Sequence, residues 1–411
     1  MQNLKQIGGT MTFEFNMHSS LLLIGFTQGI IFSLLLLFRY ARERKLSDLL
    51  LGALILFCSF RISQYMLGFA GWYDTHDALT SFMFYFPFHN LFLVGPIVYF
   101  YFLSVTNQQF RFQRKHLWHF IPGATYLLVF AGIFLWDVVI QHWLIGNEFV
   151  YFSNTKGFAR EAWEIYFSSI YSPLSILHII PYLVLTLRTY RKYKAYLVSN
   201  FANTEGISFG WLANMLYAIL ISLGMILAIS LYSDLIQDLS YTEYWITHVL
   251  LAVMIYIVSI VGYRQSEQLP RQLAFEPEEF VEVVPEAKVE KEAMPDLMLW
   301  KQKIQRLLLD EKIYLQPQLT LSDVAKQLDT NTSILSKVIN LGFEMNFNDL
   351  INHWRVEAVK SKMEDPKYSH LTLVGIALEC GFNSKATFNR AFRKFTDHSP
   401  REYMQQLSPA A

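Results

Sequence analysis

Two sets of side chains near the C-terminal end have the chemistry to read a DNA duplex. Ser333, Ser336, Lys337 and Asn340 share one face if 332–341 is a helix, and Lys385, Ala386, Asn389, Arg390, Arg393 and Lys394 do so over 385–395. An arginine fork matches the O6/N7 edge of guanine, and a side-chain amide matches the N6/N7 edge of adenine. Arg390 and Asn389 are therefore the base-reading candidates. Lys337, Lys385, Arg393 and Lys394 suit phosphate contact, which positions a protein on the duplex without reading sequence.

These faces need short, firmly seated helices. Over 371–403 the pattern is helix, sharp turn, helix. Ile376, Ala377 and Cys380 form the apolar face of the first helix, which stops at Gly381, the residue type that most easily turns left-handed. Asn383 or Ser384 can cap the second helix. Phe388, Ala391, Phe392 and Phe395 follow at i, i+3, i+4 and i+7, an inward stripe opposite the basic face.

The same pattern occurs once upstream. Thr320-Leu321 and Val324-Ala325 answer Thr372-Leu373 and Ile376-Ala377 at an offset of 52, and Leu335, Val338 and Ile339 answer Phe388, Ala391 and Phe392 at 53. The extra residue falls in the turn. Between the copies, 348–363 is expected to be a helix with Leu350, Ile351, Trp354 and Ala358 on one side and Val356, Val359 and Met363 on another. A helix apolar on two faces suits a spacer packed between two subdomains.

Residues from about 300 to 405 resemble the DNA-binding domain of AraC/XylS-type transcription regulators. Ile376-Ala377, Cys380-Gly381-Phe382, Ser384, Phe388, Arg390, Phe392, Lys394 and Ser399-Pro400 with Tyr403 carry the resemblance, together with Asn352, Arg355 and Ala358 in the spacer. Asp397, where a glycine is usual, and Met404, where a basic residue is common, depart from it. The resemblance implies that one domain reads two consecutive major-groove segments on one face of promoter DNA. It also implies regulation, often activation, of nearby promoters, with RNA polymerase as a partner.

At 411 residues, with 34 Lys+Arg against 34 Asp+Glu, the chain is longer than one domain and carries no net charge. Its first 265 residues are dominated by Leu, Ile, Phe and Tyr. Cys58 and Cys380 are the only cysteines and lie in regions not expected to meet, so neither a disulfide framework nor a CxxC metal signature is present. The apolar run from Leu21 follows a mostly uncharged tail and precedes Arg39, Arg42, Arg44 and Lys45, unlike a cleavable signal peptide.

Seven stretches, near 20–38, 47–69, 84–104, 117–137, 165–187, 209–232 and 243–263, are apolar enough to span a bilayer, which takes about 20 residues each. Pro87, Pro96, Pro173 and Pro181 mark kinks. Basic clusters follow the first span, the third (Arg111, Arg114, Lys115) and the fifth (Arg188, Arg191, Lys192, Lys194), whereas 70–83, 138–164 and 233–242 are poor in them. Positive charge stays inside. The N-terminus is thus expected outside and the DNA-binding end in the cytoplasm of a bacterial inner membrane. Residues 265–296, rich in Glu and broken by Pro270, Pro277, Pro285 and Pro295, read as an extended acidic linker.

Arg61, His89, Asp137, His178, Asp234 and His248 lie in or beside the spans, where ionisable groups are paired or line a cavity. One expectation is a ligand pocket open to the outside, with Arg61 against Asp137 or Asp234 and walls from Tyr65, Trp72 and Tyr85. The alternative is polar contact between helices or at the water interface. The histidines lack the i, i+4 spacing of a metal pair, so no metal or other cofactor is expected. No nucleophile elbow, P-loop, dinucleotide fingerprint or phosphotransfer signature points to an enzyme.

The chain is expected to be all-α: a bundle of about seven transmembrane helices over 1–264, the linker over 265–296, a double helix-turn-helix domain over 297–405 and a tail over 406–411. Its expected function is sequence-specific transcription regulation from the membrane. The bundle would sense a small-molecule or peptide signal and change how two protomers pair. Two alternatives stay open: a transporter or membrane enzyme with an appended DNA-binding regulator, and a bundle that only anchors. Repeat-type transporters show hydropathy symmetry between halves, and none is evident.

Overall fold

The computed structural model describes residues 14–74, 78–88, 90–147, 157–164, 168–236, 240–267, 273–278 and 296–407. Regular structure among them is helical, with no strand beyond two isolated bridges. The chain divides into two compact units, 1–188 with 210–274, and 189–209 with 275–411. The short segment 189–209, expected to belong with the apolar half, groups with the C-terminal unit. Most of the expected acidic linker lies outside the described residues.

The first unit is built on α1 (Met17–Glu43), α2 (Leu46–Phe69), α3 (Leu91–Thr106), α4 (Ile121–Phe134), most of α5 (Ser168–Asn200), α6 (Gly210–Leu235) and α7 (Trp245–Glu267). Each expected stretch thus contains helix among its described residues. Four stretches, Met17–Glu43, Leu46–Phe69, Arg114–Leu144 and Trp245–Arg264, are long and apolar enough to cross a membrane, and Leu91–Thr106 and Gly210–Ser222 are shorter apolar helices. The third is short because α3 starts only at Leu91, with Asn90 at its N-cap. The fourth is irregular: a 3-10 segment, Arg114–Phe120, leads into α4, which continues as a π-helix over Leu135–Leu144.

Small residues let α1 approach its neighbours closely. A Cβ on Gly25 would lie 2.5 Å from that of Ala252, and one on Gly29 would meet Ser59 Oγ at 2.0 Å. Small residues four apart are how helices gain contact where hydrocarbon removes the hydrophobic drive to associate. Further along α1, Ser33 Oγ donates to the Gly52 carbonyl at 2.8 Å. At its last turns Arg39 donates from two nitrogens to both oxygens of Asp48, at 2.7 and 2.8 Å. Asp48 is fully buried, and the Arg39 guanidinium lies 4.4 Å from the centre of the Tyr263 ring on α7. One ion pair thus ties three helices.

The second unit contains α8 (Leu297–Leu309), α9 (Leu321–Gln327), α10 (Thr332–Phe343), α11 (Phe347–Glu364), α12 (Leu373–Glu379), α13 (Lys385–Thr396) and α14 (Pro400–Leu407). Two cores form here. Leu350 and Ile351 of α11 join the core of α8, α9 and α10, while Val356, Val359 and Met363 join that of α12 and α13. The expected spacer thus packs on both faces.

Arg355 of α11 connects the two cores. It is 1 % exposed and donates from Nε to the Tyr314 carbonyl at 2.7 Å and from Nη2 to the Gln316 carbonyl at 2.8 Å. Its guanidinium also faces the Phe382 ring. Burial pulls its pKa down to about 10, which leaves it charged at neutral pH. Gly381 adjoins this site with φ +89, and a Cβ there would lie 2.6 Å from the Tyr314 carbonyl oxygen. Glycine is required both for the turn and for the approach.

Two outcomes follow for the folded chain. Asp48→Ala leaves a buried guanidinium without its carboxylate and is expected to cost about 3–5 kcal/mol, whereas the Arg39→Met, Asp48→Leu double variant restores most of it. Thermal unfolding in detergent measures both, and equal loss in the two variants would contradict the ion-pair account. Arg355→Met orphans the buried Tyr314 carbonyl at about 1–3 kcal/mol. Hydrogen exchange of the full chain should then quicken through α11, α12 and α13, and unchanged protection would contradict the hub.

Candidate nucleic-acid interface

Each recognition helix is fixed at its start by a side-chain cap. Asn331 Oδ1 accepts from the Ile334 amide at 2.8 Å ahead of α10, and Ser384 Oγ accepts from the Thr387 amide at 3.2 Å ahead of α13. Leu335, Val338 and Ile339 are buried on one helix, and Phe388, Ala391 and Phe392 on the other. Once those stripes face in, the opposite faces must face out. Ser333 and Lys337 on α10 are exposed, while Ser336 and Asn340 are half-buried, 3.5 Å apart in a side-chain hydrogen bond. On α13, Lys385, Ala386, Asn389, Arg390, Arg393 and Lys394 are all exposed.

Lys394 donates to Asp349 of α11 at 2.6 Å, a half-exposed ion pair across the spacer. Such a pair is worth roughly 0–1 kcal/mol and can yield to a phosphate. Asp397 ends α13 at φ +60, taking the left-handed conformation a glycine would supply there.

A groove of about 590 Å³ runs beside α13, lined by Thr372, Lys385, Asn389, Arg393, Ser399 and Arg401. Thr372 caps α12, and Ser399 caps α14 in reciprocal bonds with Glu402. The Ser399 amide and hydroxyl hold the Glu402 carboxyl below the usual range. Helix N-termini and cations around one groove suit an anionic backbone. Thr372, Ser399 and Arg401 were not among the expected contacts, although the capping pattern of Ser399 with Glu402 is visible in the sequence.

The described candidate ligand residues each have polar or aromatic partners. Arg61 donates to Gln64 at 2.9 Å and lies over the Tyr65 ring, which stacks on His248 at 3.5 Å and on Tyr241 at 4.9 Å. His248 Nδ1 is 3.1 Å from the Tyr244 carbonyl. Asp137, 2 % exposed, accepts from the amides of Ala159 and Arg160 at 2.9 and 3.0 Å and from the Tyr85 hydroxyl at 3.3 Å. His178 sits against Phe92 and Tyr182. Arg61, Tyr65 and His248 are thus together, and Asp137 lies with Tyr85 and the amides of Ala159 and Arg160. His89 and the Asp234 side chain lie outside the described residues. Among the described residues no three His, Cys, Asp or Glu side chains gather as metal ligands would.

The family model for a helix-turn-helix domain matches residues 324–406. An uncharacterised HTH-type transcriptional regulator of Staphylococcus aureus (strain COL) is 32 % identical over 92 residues, 22 % of this chain and 12 % of that protein. The uncharacterised HTH-type transcriptional regulator YijO of Escherichia coli (strain K12) is 34 % identical over 88 residues, 21 % of this chain and 30 % of its own length. The likeness thus covers only a small part of either relative. No solved structure is matched. Residues 324–406 are a helix-turn-helix domain of AraC type, at the end of a helical chain whose N-terminal part carries apolar helices.

Proposed function

We propose that this chain is a transcription regulator that binds promoter DNA from within a bacterial inner membrane. The observation that carries this reading is the pair of exposed polar faces on α10 and α13, joined by α11 within a domain of helix-turn-helix type. Arg390 and Asn389 contact bases, and Lys337, Lys385 and Arg393 contact phosphate. Four helices of membrane-crossing length support the membrane assignment. The bias of Lys and Arg towards alternate loops supports an N-terminus outside and a cytoplasmic DNA-binding domain.

The apolar unit senses the signal in this reading. A change in the pairing of two protomers then changes the effective concentration of linked DNA-binding domains. Contact with RNA polymerase follows from the family resemblance alone. Because the domain is tethered, its DNA must come to the membrane, so output depends on promoter position as well as affinity.

Chromatin occupancy of the full-length protein, compared with a Lys337→Ala, Arg390→Ala variant at equal membrane level, tests this function. Losing a bidentate base contact costs about 1–3 kcal/mol, so focused peaks upstream of a few genes should fall by roughly tenfold or more. Diffuse signal unchanged by the substitutions would contradict the assigned faces.

A further inference from the structure

The loop that joins α5 to α6 reaches into the DNA-binding unit. Its residues 201–209 belong to that unit together with the last turns of α5. Ala202 is fully buried within the core formed by α8, α9 and α10. Its amide donates to the Leu319 carbonyl at 3.1 Å, and Phe201 and Thr320 form an antiparallel bridge. Asn348, at the start of α11, donates to the carbonyls of Phe201 and Ala202 at 3.0 and 2.9 Å. Such burial and hydrogen bonding describe a docked segment.

At the tip of this loop Glu205 meets the first turn of α13. Its carboxylate accepts from the Ser384 hydroxyl and, at 3.1 Å, from the Thr387 hydroxyl. Ser384 is the cap of that helix. The first turn of a recognition helix is where its side chains meet base edges and where its amides and hydroxyls meet phosphate. A carboxylate there has the sign and the acceptor geometry of a phosphate oxygen. Two anions cannot share the turn.

The far side of the loop is braced by α5. Tyr193, fully buried, donates its hydroxyl to the Ile207 carbonyl at 2.6 Å, and Tyr190 donates to the Ser208 carbonyl at 3.1 Å. Axial or rotational movement of the end of α5 therefore moves the backbone that carries Glu205.

We propose that residues 201–207 form an autoinhibitory latch, in which Glu205 occupies the phosphate position on the second recognition helix and must leave before DNA engages it. The latch rests on the DNA-binding reading given above. It supplies a physical route from α5 to the recognition helix that needs no change in protomer pairing.

The test uses the full chain in lipid nanodiscs and a fluorescent mixed-sequence duplex, because phosphate contact is independent of sequence. Glu205→Gln keeps the side-chain shape and removes the charge. A charge at a helix N-terminus and its hydrogen bonds are together worth enough that Glu205→Gln should bind about threefold to tenfold more tightly than the parent. Glu282→Gln, the same charge change in the acidic linker, should match the parent. Lys337→Ala, Arg390→Ala should bind more weakly. Equal or weaker binding by Glu205→Gln, with binding still lost in the Lys337→Ala, Arg390→Ala variant, would overturn the latch alone. If that double variant binds as well as the parent, the DNA-facing assignment fails and the latch fails with it.

Discussion

A buried guanidinium holds the DNA-binding unit in one arrangement. Arg355 donates to carbonyls that precede α9 and faces the aromatic ring that opens the second turn, so both helix-turn-helix halves refer to one point on α11. Desolvating a charge is costly, and the cost is offset only when geometry satisfies its donors. A rotation of one half against the other would take a donor from a carbonyl that water does not reach. Gly381 extends the same constraint to the backbone, since no Cβ fits beside the Tyr314 oxygen. The separation of the two outward faces is consequently a property of one rigid body.

The apolar unit reaches rigidity by other means. Where helices can face lipid, burying leucine gains little, so close backbone approach and satisfied polar pairs carry the association. Gly25 and Gly29 provide the first, and Arg39 with Asp48 the second. Exposed apolar residues such as Leu34, Phe38, Leu128 and Leu177 fit helix surfaces turned towards lipid.

Much of this was legible in the sequence, for reasons that can be named. The helix-turn-helix halves repeat their apolar positions at a nearly constant offset, and Ser384 marks a helix start through short-range capping. Helix lies within each of the seven apolar stretches, but four alone among the described residues reach membrane-crossing length, and the ends were not readable because α3 begins only at Leu91 and a π-helix follows Phe134. Arg355 drew notice only through family resemblance, since an arginine on a spacer helix carries no local sign of burial. The docking of Ala202 was hidden for a similar reason: it joins residues more than a hundred positions apart, in a loop that hydropathy assigns to the membrane half. Asp137 was recognisable as a constrained carboxylate, but its backbone partners at Ala159 and Arg160 depend on a turn that no periodicity announces.

If α11 and Arg355 fix two reading helices as one body, the duplex should record their spacing. Hydroxyl-radical footprinting of the full-length protein, on the promoter fragment it occupies most strongly, measures this directly. Two protected stretches should appear on one face of the DNA, with centres about one helical turn apart. A single protected stretch, or two on opposite faces, would contradict a rigid double reader.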